Sequence, residues 1–149
     1  MPDTEKGPVQ TIVEFEMLPP TQQRTSRMLF DYADALRTVG RRRDAEKVYN
    51  ALDLESVPEK KRWLVHLFRG QLCQDAGRYG EAETLFRTAV SLNPLSTVPW
   101  IHLAASLAEQ EKFEDAVSVL QGAEDLDGDQ DELHLIIGYS LRTLGRLPE

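Results

Sequence analysis

Apolar and small residues recur along this chain at intervals of three and four, which is the pattern of an amphipathic helix. Between positions 97 and 130 they form two groups separated by the short polar stretch 109–112. The first group runs from Trp100 to Leu107 and the second from Phe113 to Ala123. Two amphipathic helices joined by so short a link predict an antiparallel helical hairpin.

The hairpin pattern repeats along the chain. Four residues of one copy correspond to four residues that lie 34 positions later in the next copy. The first set is Gly77, Ala82, Phe86 and Ala89, and the second set is Glu111, Ala116, Leu120 and Ala123. Gly40, Ala45 and Tyr49 precede the first set by 37 positions, so three residues must be inserted. We expect the insertion near Pro58, where the next helix can begin almost one turn early. A fixed period of this size predicts stacked hairpins instead of one closed core.

The repeat resembles the tetratricopeptide repeat, whose pattern is W-x2-L-G-x2-Y…A-x3-F…P. Positions 63–96 match it most clearly, with Gly70, Gly77, Tyr79, Ala82, Phe86, Ala89 and Pro94. The resemblance implies an all-α, right-handed solenoid of antiparallel hairpins with seven helices in about three and a half repeats. The repeats would be 26–59, 63–96 and 97–130, with a half repeat at 131–149, and together they form one domain, 26–149.

The N-terminal segment, residues 1–25, lies outside this pattern, and two periodicities compete within it. An alternating set predicts a strand, namely Val9, Thr11, Val13, Phe15 and Met17. A second set fits one helical face, namely Val9, Ile12, Val13 and Met17. The β-branched residues favour the extended form. The segment is expected to be either flexible or docked, on the protein's own groove or on a second copy.

The overall charge limits the classes of partner. Seventeen basic and twenty-five acidic residues give a formal net charge of −8, which disfavours binding to nucleic acid or to an anionic membrane. The N-terminus has no signal-peptide pattern and no apolar stretch is long enough to span a bilayer, so a cytoplasmic protein is expected. Cys73 is the only cysteine, which excludes an internal disulfide and a thiolate-rich zinc site.

The resemblance also implies where a ligand lies, because the first helices of the hairpins line the concave face in this family. Twelve residues are expected to bind a partner there by register: Arg27, Phe30, Asp34, Leu64, Leu67, Gln71, Val98, Ile101, Ala105, Leu135, Tyr139 and Arg142. Some relatives grip a chaperone's carboxy-terminal carboxylate with lysine, asparagine and arginine, but the matching positions here hold Phe30, Asp34, Phe68, Val98 and His102. An apolar peptide or helix suits this face better.

The pattern contains no catalytic constellation, cofactor motif or metal site. We therefore expect a non-enzymatic protein-interaction module that binds a protein or peptide, acting as an adaptor or scaffold. The alternatives are a small acidic chaperone of secreted, type III translocator-like proteins and a fragment of a larger scaffold. A homodimer through the end helix or the N-terminal segment is a further possibility. The basic cluster Arg41, Arg42 and Arg43 is interpreted as a solvated turn, with an acidic partner as the alternative.

Overall fold

The computed structural model describes residues 6–22, 25–124, 126, 131, 134–135, 138 and 142. This part of the chain contains helices and no strand. The helices are α1 (Pro8–Met17), α2 (Ser26–Thr38), α3 (Arg42–Ala51), α4 (Glu59–Asp75), α5 (Tyr79–Leu92), α6 (Thr97–Glu109) and α7 (Phe113–Ala123), with a 3-10 turn at Leu54–Ser56. The chain divides into two compact units, 1–65 and 66–149.

The all-α fold of antiparallel helical hairpins is confirmed, and the described residues contain seven α-helices. They include α1, which lies in the segment placed outside the repeats, while most of the half repeat 131–149 lies outside the described residues. The described positions of that half repeat, 131, 134, 135, 138 and 142, are all helical.

In the first unit, α2 packs between α1 and α3. The contact of α2 with α3 is built from small residues where the helices cross and one large ring beside them. Ala33, Leu36, Ala45 and Tyr49 are all essentially inaccessible to solvent. Thr25 caps the start of α2, because its side-chain oxygen accepts a hydrogen bond from the Met28 amide.

In the second unit, α6 packs against α5 and α7, and the same repeat positions are buried. Ala82, Phe86, Ala104, Ala116 and Leu120 are fully buried. Gly70 of α4 faces the Phe86 ring so closely that a Cβ atom there would lie 2.5 Å from Cε1 of Phe86. The small residue predicted at this crossing is therefore required by the packing.

The turn inside each hairpin has one geometry, used three times. Gly40, Gly77 and Glu111 adopt positive φ angles of 86°, 75° and 61°. The amide of the next residue bonds back over five positions, from Arg41 to Leu36, Arg78 to Cys73 and Lys112 to Leu107. This is the Schellman arrangement, in which a left-handed residue ends the helix and its last carbonyls are satisfied.

The three inserted residues lengthen α4 at its start. The helix begins at Glu59, directly after Pro58, whereas the register of α2 shifted by 37 would start it at 63. The sequence pattern placed the insertion here, and the structure agrees.

The N-terminal segment forms a docked helix. In α1, Phe15 stacks on Tyr32 of α2 with ring centroids 4.0 Å apart and an interplanar angle of 13°. Tyr32 Oη donates a hydrogen bond to Glu16, and Arg41 forms an ion pair with the same carboxylate. The prediction of an extended segment, which the β-branched residues favour, is wrong. The burial of Ile12 and Phe15 against α2 outweighs the intrinsic β-propensity of these residues.

The position of α1 follows the repeat. Its bounds, Pro8–Met17, lie 34 residues before those of α3, Arg42–Ala51. Thr11, Phe15 and Leu18 accordingly precede Ala45, Tyr49 and Leu52 by the period. The hydrogen bond from the Thr11 amide to the Gly7 carbonyl also matches that from Ala45 to Arg41. Thus α1 occupies the place of a hairpin's second helix and covers the outer side of α2.

Candidate polypeptide-binding site

A groove of about 880 Å³ lies between α1 and α2 in the first unit. Its lining comprises Lys6, Pro8, Thr11, Glu14, Phe15 and Leu18 from the α1 side and Arg27, Met28, Asp31, Asp34, Ala35 and Thr38 from α2. Arg27 and Asp34 are two of the residues expected to bind a partner. The apolar part of the groove comes from both helices, so it depends on the docking of α1.

Charges of both signs surround this groove. Lys6 forms an ion pair with Glu14, and Arg37 pairs with Asp34. The hydrogen bond from Lys6, assisted by one from Gln10, holds the pKa of Glu14 below its ordinary value. Glu14 is therefore ionised at neutral pH, and both acids are tied to neighbouring cations. The groove therefore has an apolar floor, and its rim carries acidic and basic side chains whose charges largely cancel in ion pairs.

The second unit carries a polar network on the face predicted to bind. Gln71 Nε2 donates to His102 Nε2 at 3.0 Å, and His102 Nδ1 lies 3.2 Å from Gln74 Oε1. This pattern assigns the imidazole proton to Nδ1, since the Gln71 amide nitrogen can only donate. The imidazole also stacks on Phe86 at 5.3 Å. Gln71 is one of the residues expected to bind a partner, whereas His102 was considered from the sequence only as a position of the carboxylate clamp.

The remaining predicted residues differ in accessibility. Phe30 is half-buried and contacts Tyr49 edge to face at 6.2 Å. Leu64 and Ala105 are half-buried, while Val98 and Arg142 are exposed. Leu67 and Ile101 are only 3% and 6% exposed, so a ligand would reach little of either in this conformation. Tyr139 lies outside the described residues.

Burial along this predicted row differs between copies of one repeat position. Leu67, Ile101 and Leu135 are spaced by 34 residues. Leu135 is 72% exposed although its two equivalents are buried. A repeat position that is exposed in one copy can thus be packed in another.

Two family models cover most of this architecture. One tetratricopeptide repeat model matches residues 30–97 and a second matches residues 74–138. Together they span 30–138, well over half of the chain. The chain belongs to the tetratricopeptide repeat family. No curated protein is significantly similar to it.

Solved structures with the tetratricopeptide fold resemble this repeat protein closely in backbone and weakly in sequence. MamA (41-end) from Desulfovibrio magneticus RS-1 has a TM-score of 0.81 at 17% identity, covering 93% of this chain and 77% of that one. MamA MSR-1 has a TM-score of 0.78 at 16% identity, covering 93% and 78%. The first tetratricopeptide domain of Spaghetti (RPAP3), bound to the HSP90 peptide SRMEEVD, has a TM-score of 0.72 at 16% identity, covering 81% and 94%. At these identities the likeness shows the fold alone.

Two features, a metal-binding cluster and a membrane-spanning helix, are absent from the described part of this repeat protein. Within the described residues, no group of three or more histidine, cysteine, aspartate or glutamate side chains could hold a metal ion. Among the helices described, none combines the length and apolar character needed to cross a bilayer. Tetratricopeptide repeats are protein-interaction modules, and the protein is assigned to that general class. The secretion-chaperone and larger-scaffold alternatives stay predictions.

Proposed function

We propose that this tetratricopeptide protein is a non-enzymatic interaction module that holds an extended, largely apolar peptide of another protein in the groove between α1 and α2. The observation that carries the proposal is the groove itself, which brings the predicted Arg27 and Asp34 together with an apolar floor. Its volume of about 880 Å³ lies within the roughly 300–1,000 Å³ of ligand-binding clefts.

The floor and rim indicate the chemistry of the ligand. Phe15, Leu18, Met28 and Ala35 present apolar surface, which favours one or two aliphatic anchors. The ion pairs at the rim leave little net charge for recognition, so affinity would come from apolar burial and from hydrogen bonds to the peptide backbone. Strong salt dependence is therefore not expected.

An acidic carboxy-terminal peptide of the kind bound by the Spaghetti domain is a poor candidate here. The charges at the rim of the groove largely cancel, so the groove supplies no net positive charge to hold carboxylates. The basic and amide residue types of a carboxylate clamp are also missing at the matching positions of this sequence. The HSP90 peptide SRMEEVD therefore serves as a negative probe.

The test is a random peptide display against the full chain, followed by affinity measurements on the selected peptides. We expect an aliphatic consensus, and binding at least tenfold weaker in the double variant Leu18→Ser, Arg27→Ser. Neither residue belongs to the buried core, so helicity is expected to be retained. Ser118→Lys on α7 is the matched control and should bind normally. Selected peptides that bind the double variant unchanged, or an acidic consensus matching SRMEEVD, would contradict the proposal.

A further inference from the structure

A second surface of α1 points away from the groove. Val9, Val13 and Met17 are 65%, 49% and 80% exposed, and their spacing of four residues places them in one stripe along the helix. None of the three lines the α1–α2 groove. The helix therefore has an apolar buried side and a separate apolar stripe facing solvent.

The internal repeat shows that this stripe is unusual. Because α1 lies in register with the second helices of the hairpins, each stripe residue has three equivalents. These equivalents are Arg43, Gly80 and Glu114 for Val9; Lys47, Thr84 and Ser118 for Val13; and Ala51, Thr88 and Gly122 for Met17. Eight of the nine are exposed and all are polar, charged or small. Among the four described helices that occupy this place in the repeat, only α1 has large apolar side chains at these exposed positions. A contiguous exposed apolar stripe marks an interaction site.

The apolar stripe of α1 is too small to form a stable interface by itself. Three side chains cover far less than the roughly 800 Å² per partner that a stable interface buries. A docking surface that uses this stripe needs an adjoining area. The neighbouring helix α3 supplies one.

The adjoining area is basic. Arg43 and Lys47 are exposed on α3 at the repeat positions that Val9 and Val13 occupy on α1. The ion pair of Arg41 with Glu16, 3.0 Å long, brings the start of α3 to the last turn of α1, next to Met17. Equivalent positions of packed repeats face the same way. By this register the two cations lie on the same side of the first unit as the apolar stripe, and we call the combined area the α1–α3 outer face.

We propose that the α1–α3 outer face docks an amphipathic helix of a protein partner, with an aliphatic ridge on Val9, Val13 and Met17 and flanking acids on Arg43 and Lys47. A lipid surface fits less well, because an anionic bilayer presents many negative charges to a chain whose net charge is −8, whereas a partner helix presents only the few acids that meet Arg43 and Lys47. The proposal is independent of the α1–α2 groove, whose residues are different.

The probe is a synthetic helical peptide with leucines at i, i+3, i+4 and i+7 and glutamates beside them, labelled for fluorescence anisotropy and added to the full chain. We expect saturable binding that is at least tenfold weaker when lysines replace the glutamates. The variant Val9→Gln, Val13→Gln, Met17→Gln keeps good helix formers in α1 and should weaken binding at least tenfold. Arg43→Glu, Lys47→Glu should do the same. Thr84→Glu on α5, at the repeat position of Val13, is the matched control and should leave binding unchanged.

Several outcomes would overturn the proposal. They are absence of saturable binding, equal binding of the lysine peptide, and unchanged affinity in the glutamine variant with its helicity retained. Binding to phosphatidylglycerol vesicles that the glutamine variant loses would assign the face to a membrane instead. A concentration-dependent dimer lost in the same variant, seen by analytical ultracentrifugation, would assign it to a second copy. The groove variant Leu18→Ser, Arg27→Ser should bind this probe normally, which separates failure here from failure of the groove.

Discussion

Among the described glycines, Gly70 has the most closely packed surroundings. A methyl group there would meet Cε1, Cδ1 and Cζ of Phe86 at 2.5–3.0 Å, and that ring is fully buried. We predict that Gly70→Ala lowers the free energy of unfolding by about 1–3 kcal/mol, because the ring cannot move without repacking. Urea denaturation measures the change.

The matched control for Gly70 is Gly80, which is exposed near the start of α5 and would place its Cβ 4.0 Å from the nearest side-chain atom. Gly80→Ala should be neutral or slightly stabilising, since alanine is the better helix former. A Gly70→Ala protein as stable as the Gly80→Ala protein would show that the crossing is looser than the structure indicates.

Glu111 adopts a left-handed backbone conformation, whereas the two equivalent positions in the other hairpins are glycines. Its φ is 61°, against 86° at Gly40 and 75° at Gly77. Left-handed backbone is costly for a residue with a Cβ. We predict that Glu111→Gly raises the unfolding free energy by about 0.5–1 kcal/mol. The reason is that the backbone strain relieved in the folded state exceeds the entropy that glycine adds to the unfolded chain. Thermal unfolding followed by circular dichroism provides the measurement, and Gly77→Ala should change it in the opposite direction.

Leu67 and Ile101 show what residue spacing alone does not predict. Spacing correctly places both on the apolar stripe of a first helix, yet whether a neighbouring helix covers that stripe depends on packing. Both are buried, whereas their equivalent Leu135 is exposed. Glutamate at position 67 or 101 would bury a charge, so lost binding in such variants would report loss of structure. The groove variants above avoid this ambiguity.

For the helices and turns, the 34-residue register of the repeat predicted more boundaries than the three-and-four spacing of apolar residues did. It placed the hairpin turns at Gly40, Gly77 and Glu111, and it predicted the early start of α4. The N-terminal helix was undecided because alternating and helical patterns overlap in Val9–Met17. The deciding signal was present in the sequence, in the 34-residue match of Thr11, Phe15 and Leu18 to the second-helix positions. It was weak because threonine stands where the other copies have alanine.

Docking of α1 depends on the Phe15 ring, which is buried and stacked on Tyr32. We predict that Phe15→Ala weakens docking by about 2 kcal/mol, the value of a buried aromatic side chain with its stacking contact. Hydrogen exchange at the amides of α1 should accelerate accordingly. Val13→Ala, on the exposed stripe of the same helix, should change it little. Equal protection of α1 in both variants would show that other contacts hold the helix.

Glu83 joins α5 to the turn between α6 and α7. Its carboxylate accepts hydrogen bonds from Lys112, Arg87 and Gln110 at 3.1–3.2 Å. Burial opposes ionisation, but these bonds together outweigh it and hold the pKa of Glu83 below its ordinary value of 4.5. A lowered folded-state pKa gives stability that is present above pH 4.5 and lost as the pH falls through the folded value.

The pH dependence of Glu83 can be isolated by a difference measurement. We predict that Glu83→Gln is less stable than the parent by about 1 kcal/mol at neutral pH, and that the difference shrinks as the pH falls below 4.5. Urea midpoints at several pH values test this. Glu109→Gln, at the exposed end of α6, serves as the control for general charge effects. A Glu83→Gln difference that persists unchanged in acid would assign the effect to packing.

For the molecule as a whole, the net charge helps to decide whether the basic cluster on α3 meets a nucleic acid or an acidic protein. Arg41, Arg42 and Arg43 form the sharpest basic cluster, but Arg41 is already paired with Glu16 and Asp44. The chain carries a net charge of −8. Nucleic-acid affinity grows with the number of phosphates neutralised, so a cluster of this size within an acidic chain should bind DNA too weakly to matter.

We therefore predict no association with a fluorescein-labelled DNA duplex at about 0.15 M salt, with any dissociation constant weaker than roughly 10⁻⁴ M by anisotropy. The acidic helical peptide should bind under the same conditions, because it presents few charges and adds apolar contacts. The variant Arg42→Glu, Arg43→Glu is the informative comparison. If the parent bound DNA in a salt-sensitive way and this variant did not, the cluster would be a phosphate site, and the assignment of these cations to an acidic protein helix would fail.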